Sequence, residues 1–167
     1  MANLRRQRGY AWEKEIAERF NDALGWKALR LGGTTTTMPD IMAVNPDKSV
    51  IVAIEAKSGA GGYLYVPKEQ IERCIKYINI FSNFGHQDAV LAFKFMGKRR
   101  LAKGGHEPRK RKEYFYHWRM EDDAYLDDII GSVACHYDGT LWNVPASSSG
   151  ASEGIFLKDY PVPFRHA

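Results

Sequence analysis

Residues 39–57 read PDIMAVNPDKSVIVAIEAK, and this stretch predicts a β-hairpin. Residues 40–44 and 49–57 form its two arms and flank the turn signal Asn45-Pro46-Asp47-Lys48, where Pro46 suits the second position of a type I turn. Both arms are apolar at nearly every position, as is usual for strands that are covered on both faces. The stretch therefore predicts a central sheet with helices packed on it.

The remainder of the chain supplies the elements around this hairpin. Apolar residues recur every four positions from residue 3 to residue 24, which predicts an amphipathic helix with Gly25 as its C-terminal cap. A second helix is expected over residues 67–84, with Pro67 in its first turn. Further strands are expected over residues 26–31, 88–95 and 113–118, and a short acidic helix around residues 122–130. The predicted fold is α/β, with a mixed central sheet flanked by helices.

Length and composition limit the class of protein. A chain of 167 residues fits one domain. It has no apolar stretch near the ~18 residues of a membrane span and no signal-peptide core at its start, so we expect an intracellular protein with no membrane partner. Two cysteines and five scattered histidines do not form the spacing of a disulfide scaffold or a zinc finger.

The charge of the chain is segregated. Residues 94–119 hold ten Lys or Arg against two acidic residues, whereas residues 120–167 hold two against eight. Residues 96–112 are polar and glycine-rich and are interpreted as a long basic loop. A solvated loop is one reading, but this density of charge favours contacts with phosphates. The candidate contact residues in this loop are Lys98, Arg99, Arg100, Arg109, Lys110, Arg111 and Lys112.

Three ionisable residues of the hairpin are expected at one end of the sheet. A hairpin that is symmetric about the Pro46–Asp47 bond places Asp40 opposite Ala53, with Glu55 diagonal to Asp40 and on the same face. Lys57 shares that face. A buried carboxylate in an apolar strand is costly unless a cation or hydrogen bonds compensate it, and Mg²⁺ is a cation that prefers such oxygen ligands.

The first helix adds a fourth charge. Glu13 lies at the edge of the apolar stripe and is expected to face the sheet, whereas Glu15 and Glu18 are expected to be surface charges that pair with neighbours such as Arg19. Structural alternatives exist, because Lys57 could protect a strand end and Asp40 could cap a turn. Convergence on one face favours a metal site.

An ordered set of motifs runs from about Arg5 to Trp118. The set comprises Arg8-Gly9 followed by Glu13, Leu29-Arg30, Pro39-Asp40-Ile41, Ile54-Glu55-Ala56-Lys57, Leu64-Tyr65-Val66, Glu69-Gln70 and VLAFKF at residues 90–95. With these motifs the sequence resembles the archaeal-type Holliday junction resolvases, which belong to the PD-(D/E)xK nuclease superfamily. The resemblance implies a restriction-endonuclease-like fold and extends over the nuclease domain that we expect at residues 1–119. Residues 120–167 match no motif of this family, and we expect them to form an extension of unclear role that packs on the same domain.

The resemblance also implies the site and its chemistry. Glu13, Asp40 and Glu55 would serve a Mg²⁺ centre, for which Mn²⁺ is an expected substitute, together with the carbonyl group of Ala56. Lys57 would position and activate the attacking water. The remaining implied or predicted DNA contacts are Arg5, Arg6, Arg8, Arg30 and Thr34, the last in a threonine-rich loop at residues 34–37.

The expected activity is the resolution of four-way DNA junctions by a two-fold dimer, with no small-molecule substrate. Two alternatives stay open at this point. The chain could be another PD-(D/E)xK endonuclease that acts on duplex DNA in restriction or repair. It could also be a DNA-binding module without turnover, which the presence of all four candidate catalytic residues disfavours.

Overall fold

The structure is a computed structural model that describes residues 3–32, 37–119, 126, 128–129, 131–147 and 150–164, with the backbone only for residues 3–5. In chain order the helices and strands are α1 (Asn3–Asp22), β1 (Lys27–Arg30), β2 (Ile41–Asn45), β3 (Val50–Gly59), β4 (Tyr63–Pro67), α2 (Lys68–Ile78), β5 (His86–Phe95), β6 (Lys98–Arg100), β7 (His106–Pro108), β8 (Lys112–Trp118), β9 (Gly131–His136), β10 (Leu141–Pro145), β11 (Glu153–Ile155) and β12 (Lys158–Asp159).

The central sheet has six strands in the order β1-β2-β3-β5-β8-β12. Strands β3 and β5 are parallel, and the other neighbours in this sheet are antiparallel. The parallel pair requires a crossover, which the chain makes through β4 and α2. The predicted α/β class with a mixed central sheet is confirmed.

The hairpin of β2 and β3 is present, but its predicted register is wrong. Paired residues such as Ile41 and Ile54 have numbers that sum to 95 instead of 93. The loop contains four residues, since Ser49 adopts a left-handed conformation (φ 52°) and its N–H donates to the Pro46 carbonyl at 3.1 Å. Pro46 is thus the first residue of the turn. A shift of two residues keeps every side chain on its predicted face.

The two faces of the central sheet are covered differently. Helix α1 packs on one face through Trp12, Ile16 and Phe20, which are buried. The opposite face is covered by α2 and also by a second sheet, in the order β11-β10-β9-β4. Both faces are buried, as the apolar arms of the hairpin predict, but a sheet takes part of the position expected for helices.

Several boundaries differ from the prediction. Helix α1 ends at Asp22, so Leu24 lies outside the apolar stripe and is 98% exposed. Gly25 has a φ of 81°, which confirms its place after the helix. Helix α2 ends at Ile78 instead of residue 84. The predicted basic loop contains a short hairpin of β6 and β7, and strand β4 was not predicted.

The C-terminal part of the chain contributes to both sheets. Strands β9, β10 and β11 build most of the second sheet, and β12 pairs with β8 at the edge of the central sheet. Leu157 and Tyr160 are buried. The predicted acidic helix lies largely outside the described residues, of which Leu126 and Asp128 are helical. The division of the chain at residue 119 stays a prediction.

Candidate active site

Asp40 and Glu55 face each other where β2 begins and β3 approaches its end. The pair Ile41–Ile54 opens the ladder, so one further step in the same register places Asp40 opposite Glu55. Directly opposed side chains have their Cβ atoms about 4.5–5.5 Å apart. The Asp40 carboxylate accepts the backbone N–H of Ala56 at 2.9 Å, which fixes its position. The predicted convergence of the two residues on one face is therefore present, with Asp40 opposite Glu55 in the continued register instead of diagonal to it.

The Glu55 carboxylate is held on both oxygens. Lys57 Nζ donates to Oε1 at 2.7 Å, and Arg73 Nη2 donates to Oε2 at 2.9 Å. The Glu55 side chain is only 1% exposed. Lys57 was predicted from the sequence, whereas Arg73 was missed. Its position on α2 directly before the buried Cys74 is the signal that it lies at the edge of the helix face toward the sheet.

Glu13 reaches the same end of the sheet from α1, on the opposite face. Its side chain is largely buried, and Arg30 Nε donates to its Oε2 at 2.6 Å. The Arg30 guanidinium also lies over the Tyr10 ring, 4.0 Å from the centroid. Gly32 makes this approach possible, because a Cβ atom there would stand 2.8 Å from Glu13 Oε2. Gly32 thus has a packing role as well as a place in the loop.

We call Glu13, Arg30, Asp40, Glu55, Lys57 and Arg73 the site cluster. Burial raises the pKa of Glu55, Lys57 opposes this rise, and the negative charge of Asp40 adds to it. Burial also raises the pKa of Glu13, with the hydrogen bond from Arg30 opposing and Asp40 again adding. Perturbed carboxylates of this kind are typical of functional sites.

The predicted metal-ligand set of Glu13, Asp40 and Glu55 stays a prediction. In the described part of the chain, no three His, Cys, Asp or Glu side chains are grouped so that they could hold a metal ion. In this arrangement Glu13 is turned toward Arg30. Asp40 and Glu55 remain as a pair of hard oxygen donors, which fits the one or two protein carboxylates that Mg²⁺ usually takes.

The predicted DNA contacts divide into exposed residues and residues with internal partners. Lys98, Arg99 and Arg100 are exposed on β6, although Arg99 lies 3.5 Å from Glu107. Arg109 is different, because its guanidinium donates to the carbonyls of Met96 and Gly61 and lies 4.5 Å from the centroid of the Tyr137 ring. Lys112 also lies over the Tyr137 ring. Arg109 thus anchors the β6–β7 hairpin.

The other predicted contacts lie near the start of the chain or outside the described residues. Arg6 is exposed and donates to the Tyr10 hydroxyl, and Arg8 is partly buried on α1. Lys110 and Arg111 are exposed between β7 and β8. The side chain of Arg5 and the whole of Thr34 lie outside the described residues.

A second charged group, the clamp cluster, lies between α1 and strands β5 and β8. It consists of Glu15, Arg19, Lys94 and Glu113. Arg19 bonds both oxygens of Glu113, at 2.7 and 3.0 Å, and Lys94 bonds Glu15. Lys94 and Glu113 are direct partners in the β5–β8 ladder. Glu15 is therefore part of an internal network and not only the surface partner of Arg19 that the sequence suggested.

A mixed sheet that carries an Asp–Glu pair and a lysine at one end is the arrangement of the PD-(D/E)xK endonucleases, and that class of enzyme is the one that fold and site define. The family model of archaeal Holliday junction resolvases (Hjc) matches residues 4–134, and the chain belongs to this family. The match continues past Trp118, where the recognisable sequence motifs end, and includes most of β9.

The comparison with solved structures and curated proteins adds two findings. The chain is similar to the Hjc of Archaeoglobus fulgidus, a Holliday junction resolvase from an archaeal hyperthermophile, with 25% identity, a TM-score of 0.45, and coverage of 63% of this chain and 72% of that one. No curated protein matches the chain.

In the described residues, no helix is long and apolar enough to cross a membrane.

Proposed function

We propose that the protein resolves four-way DNA junctions by paired, symmetrical nicks, in a reaction that depends on Mg²⁺. The observation that carries this proposal is the opposition of Asp40 and Glu55 with Lys57 bonded to Glu55, in a member of the Holliday junction resolvase family. Glu55 is buried and repelled by Asp40, so the pair is costly to the fold and suited to a cation.

Asp40 and Glu55 would hold the metal ion, with the Ala56 carbonyl as the further ligand that the family resemblance implies. When bound, the ion would neutralise charge that grows on the phosphate oxygens and lower the pKa of the attacking water. The backbone N–H of Ala56 keeps the Asp40 carboxylate turned toward β3. Mn²⁺ is expected to replace Mg²⁺.

Lys57 and Arg30 have separate tasks in this proposal. Lys57 has three donors on a flexible stem and a partly exposed side chain, so it can turn from Glu55 to orient the attacking water. Arg30 has a planar guanidinium suited to a phosphate group. Glu13 holds Arg30 through the 2.6 Å bond, and its proposed contribution to catalysis includes this positioning.

Affinity for DNA would come from cations on the first turns of α1 and on the β6–β7 hairpin. Arg5, Arg6 and Arg8 lie on α1, and the β6–β7 hairpin presents Lys98, Arg99 and Arg100. Lys110 and Arg111 extend this surface, and Thr34 stays a proposed contact. Contacts of this type read phosphates and not bases. Selection of a four-way junction would therefore depend on its shape.

The test maps cuts on a four-way junction. Each of the four strands is end-labelled in a separate reaction, with Mg²⁺ or with EDTA, beside a linear duplex of the same sequence. Because a two-fold dimer carries two equivalent sites, we expect cuts on one opposed pair of strands, at equal distances from the branch point, with 5′ phosphate and 3′ hydroxyl ends.

The alternatives give different results in the same experiment. A restriction-like enzyme would cut the linear duplex as readily as the junction. A repair nuclease would prefer one strand, and a binding module would shift the junction in a gel without a cut. Any of these three results would contradict the proposal.

A further inference from the structure

The two cations on Glu55 come from different elements of the fold. Lys57 follows Glu55 by two residues on β3, whereas Arg73 lies on α2, across a helix–sheet contact. The family motifs contain the lysine and do not contain the arginine. We propose that Arg73 is a positioning residue that holds the Glu55 carboxylate throughout the reaction, while Lys57 is its exchangeable partner. This inference rests on the proposed function of the same site.

The Arg73 side of this arrangement is rigid. Helix α2 is fixed to the sheet by Ile71, Cys74 and Ile78, which are buried on either side of Arg73 in the chain. The backbone of Glu55 is fixed as well, because β3 pairs with β2 on one side and β5 on the other. A guanidinium group between two such elements defines the direction of the carboxylate, since its donors form a planar fork.

The Lys57 side of the arrangement is more open to solvent. The lysine side chain is 26% exposed and the Arg73 side chain 15%. If Lys57 turns toward water, a buried carboxylate without another partner would be left uncompensated, which is strongly unfavourable. The bond from Arg73 at 2.9 Å removes this cost. Arg73 thus allows Lys57 to leave Glu55 while the carboxylate keeps its place.

The experiment compares variants of Arg73 and Lys57, which each bond one oxygen of the Glu55 carboxylate. Arg73→Gln removes the fixed partner, Arg73→Lys keeps the charge without the fork, and Lys57→Ala removes the exchangeable partner. Lys76→Gln is the matched control, because Lys76 is exposed one turn further along α2. For each variant we would measure Mn²⁺ binding by calorimetry, junction cleavage at varied Mn²⁺ concentration, junction binding in EDTA, and the melting temperature.

For Arg73→Gln we expect Mn²⁺ binding and cleavage to weaken by about 10–100-fold, as for other residues that orient a metal ligand, with unchanged junction binding in EDTA. Arg73→Lys should recover part of this loss. Lys57→Ala should lower the cleavage rate while Mn²⁺ binding stays as in the wild type. Lys76→Gln should match the wild type in all four measurements.

A purely structural ion pair gives another pattern. Arg73→Gln and Arg73→Lys would then lower the melting temperature while Mn²⁺ binding to the folded protein is unchanged, and this result would overturn the inference. Equal losses of Mn²⁺ binding in Lys57→Ala and Arg73→Lys would also overturn it. A wild type that binds Mn²⁺ but does not cut junctions contradicts the proposed function alone, since the calorimetric comparison of Arg73 still stands.

Discussion

The site cluster and the clamp cluster are both built from buried or half-buried carboxylates and cations beside the same sheet, yet the pKa shifts of their glutamates are opposite. In the clamp cluster burial opposes ionisation of Glu15, but the hydrogen bond from Lys94 and the charges of Arg19 and Lys94 outweigh it, so the pKa of Glu15 lies below its usual value. In the site cluster the pKa values of Glu13 and Glu55 lie above theirs, first because of burial.

The difference follows from which charges are neighbours. Each carboxylate of the clamp cluster has a cation on it, and the two acids come from different elements, α1 and β8. In the site cluster Asp40 stands opposite Glu55, so two negative charges repel each other. A fold retains such a pair when function needs it, at some cost in stability. The clamp cluster holds α1 to the sheet, and the site cluster is available for a cation.

The largest expected difference between the clusters is in cleavage. Asp40→Asn or Glu55→Gln should reduce junction cleavage by about 100–1,000-fold, the range seen when a charge-stabilising group is removed from an active site. Junction binding should be unchanged or tighter, since a negative charge near phosphates is lost. Single-turnover rates and gel-shift titrations measure both quantities. Glu113→Gln, assayed well below its melting temperature, is the control and should keep a rate close to that of the wild type.

The second comparison is of stability, where the substitution in the clamp cluster should have the larger cost. Glu113→Gln leaves Arg19 and Lys94 without their shared carboxylate, so the free energy of unfolding should fall by about 3–5 kcal/mol. Asp40→Asn keeps an oxygen that can accept the Ala56 N–H and removes the repulsion of Glu55. It should therefore raise the free energy of unfolding by about 0.5–2 kcal/mol. Urea unfolding at neutral pH without metal tests both. A stabilising Glu113→Gln would show that the clamp cluster is misassigned.

The third comparison uses pH. The lowered pKa of Glu15 means that its stabilising effect is complete above the usual glutamate value of about 4.3 and is lost as the pH falls through the lower folded value. The raised pKa of Glu55 has the opposite effect on stability. As the pH falls from its folded pKa to the usual glutamate value, protonation relieves the cost of burying the charge, and the folded state gains stability.

Unfolding free energies from pH 7 to pH 3 should therefore separate the two glutamates. Glu15→Gln should lose less stability than the wild type below the usual glutamate pKa. As the pH is lowered from the folded pKa of Glu55 to the usual glutamate value, the wild type should gain stability. Glu55→Gln should lack this gain. Parallel curves for the wild type and both variants would contradict the contrast between the clusters.

The smallest expected effect concerns the basic hairpin. Replacement of Lys98, Arg99 and Arg100 by Ser should flatten the dependence of log K on log salt by up to about 0.9 for each lost phosphate contact. Arg109→Ser should instead lower the melting temperature, because Arg109 bonds Met96 and Gly61. Binding titrations at several salt concentrations test this, and an unchanged slope for the triple variant would show that the hairpin does not contact DNA.

Sequence reasoning located Asp40, Glu55 and Lys57 because strand alternation fixes which side chains share a face. It failed on the register, since the left-handed conformation of Ser49 is not apparent in a residue type that seldom adopts it. The four-residue loop therefore lies one position later in the chain than the turn signal indicates. The pairing shifts by two residues, an even number, so the site residues keep their predicted face.

The argument that singled out Glu55 also applies to Lys94, a charged residue in an apolar strand with both faces covered. Applied there, it would have predicted a buried partner and pointed to Glu113 on the next strand. Arg73 is a different case, because its bond depends on how α2 crosses the sheet, and helix periodicity does not give that angle. The tail strands of two to six residues are too short for alternation to separate them from loops.

Strand β12 contributes only two residue pairs, Lys158 with His117 and Asp159 with Tyr116. Without them the outer edge of β8 would offer a row of unpaired N–H and C=O groups next to large aromatic side chains, and such an edge can recruit a strand from another molecule. The short strand β12, which ends beside the buried Tyr160, occupies this edge at Tyr116 and His117. It thereby shortens the stretch of β8 backbone that is open to edge-to-edge aggregation.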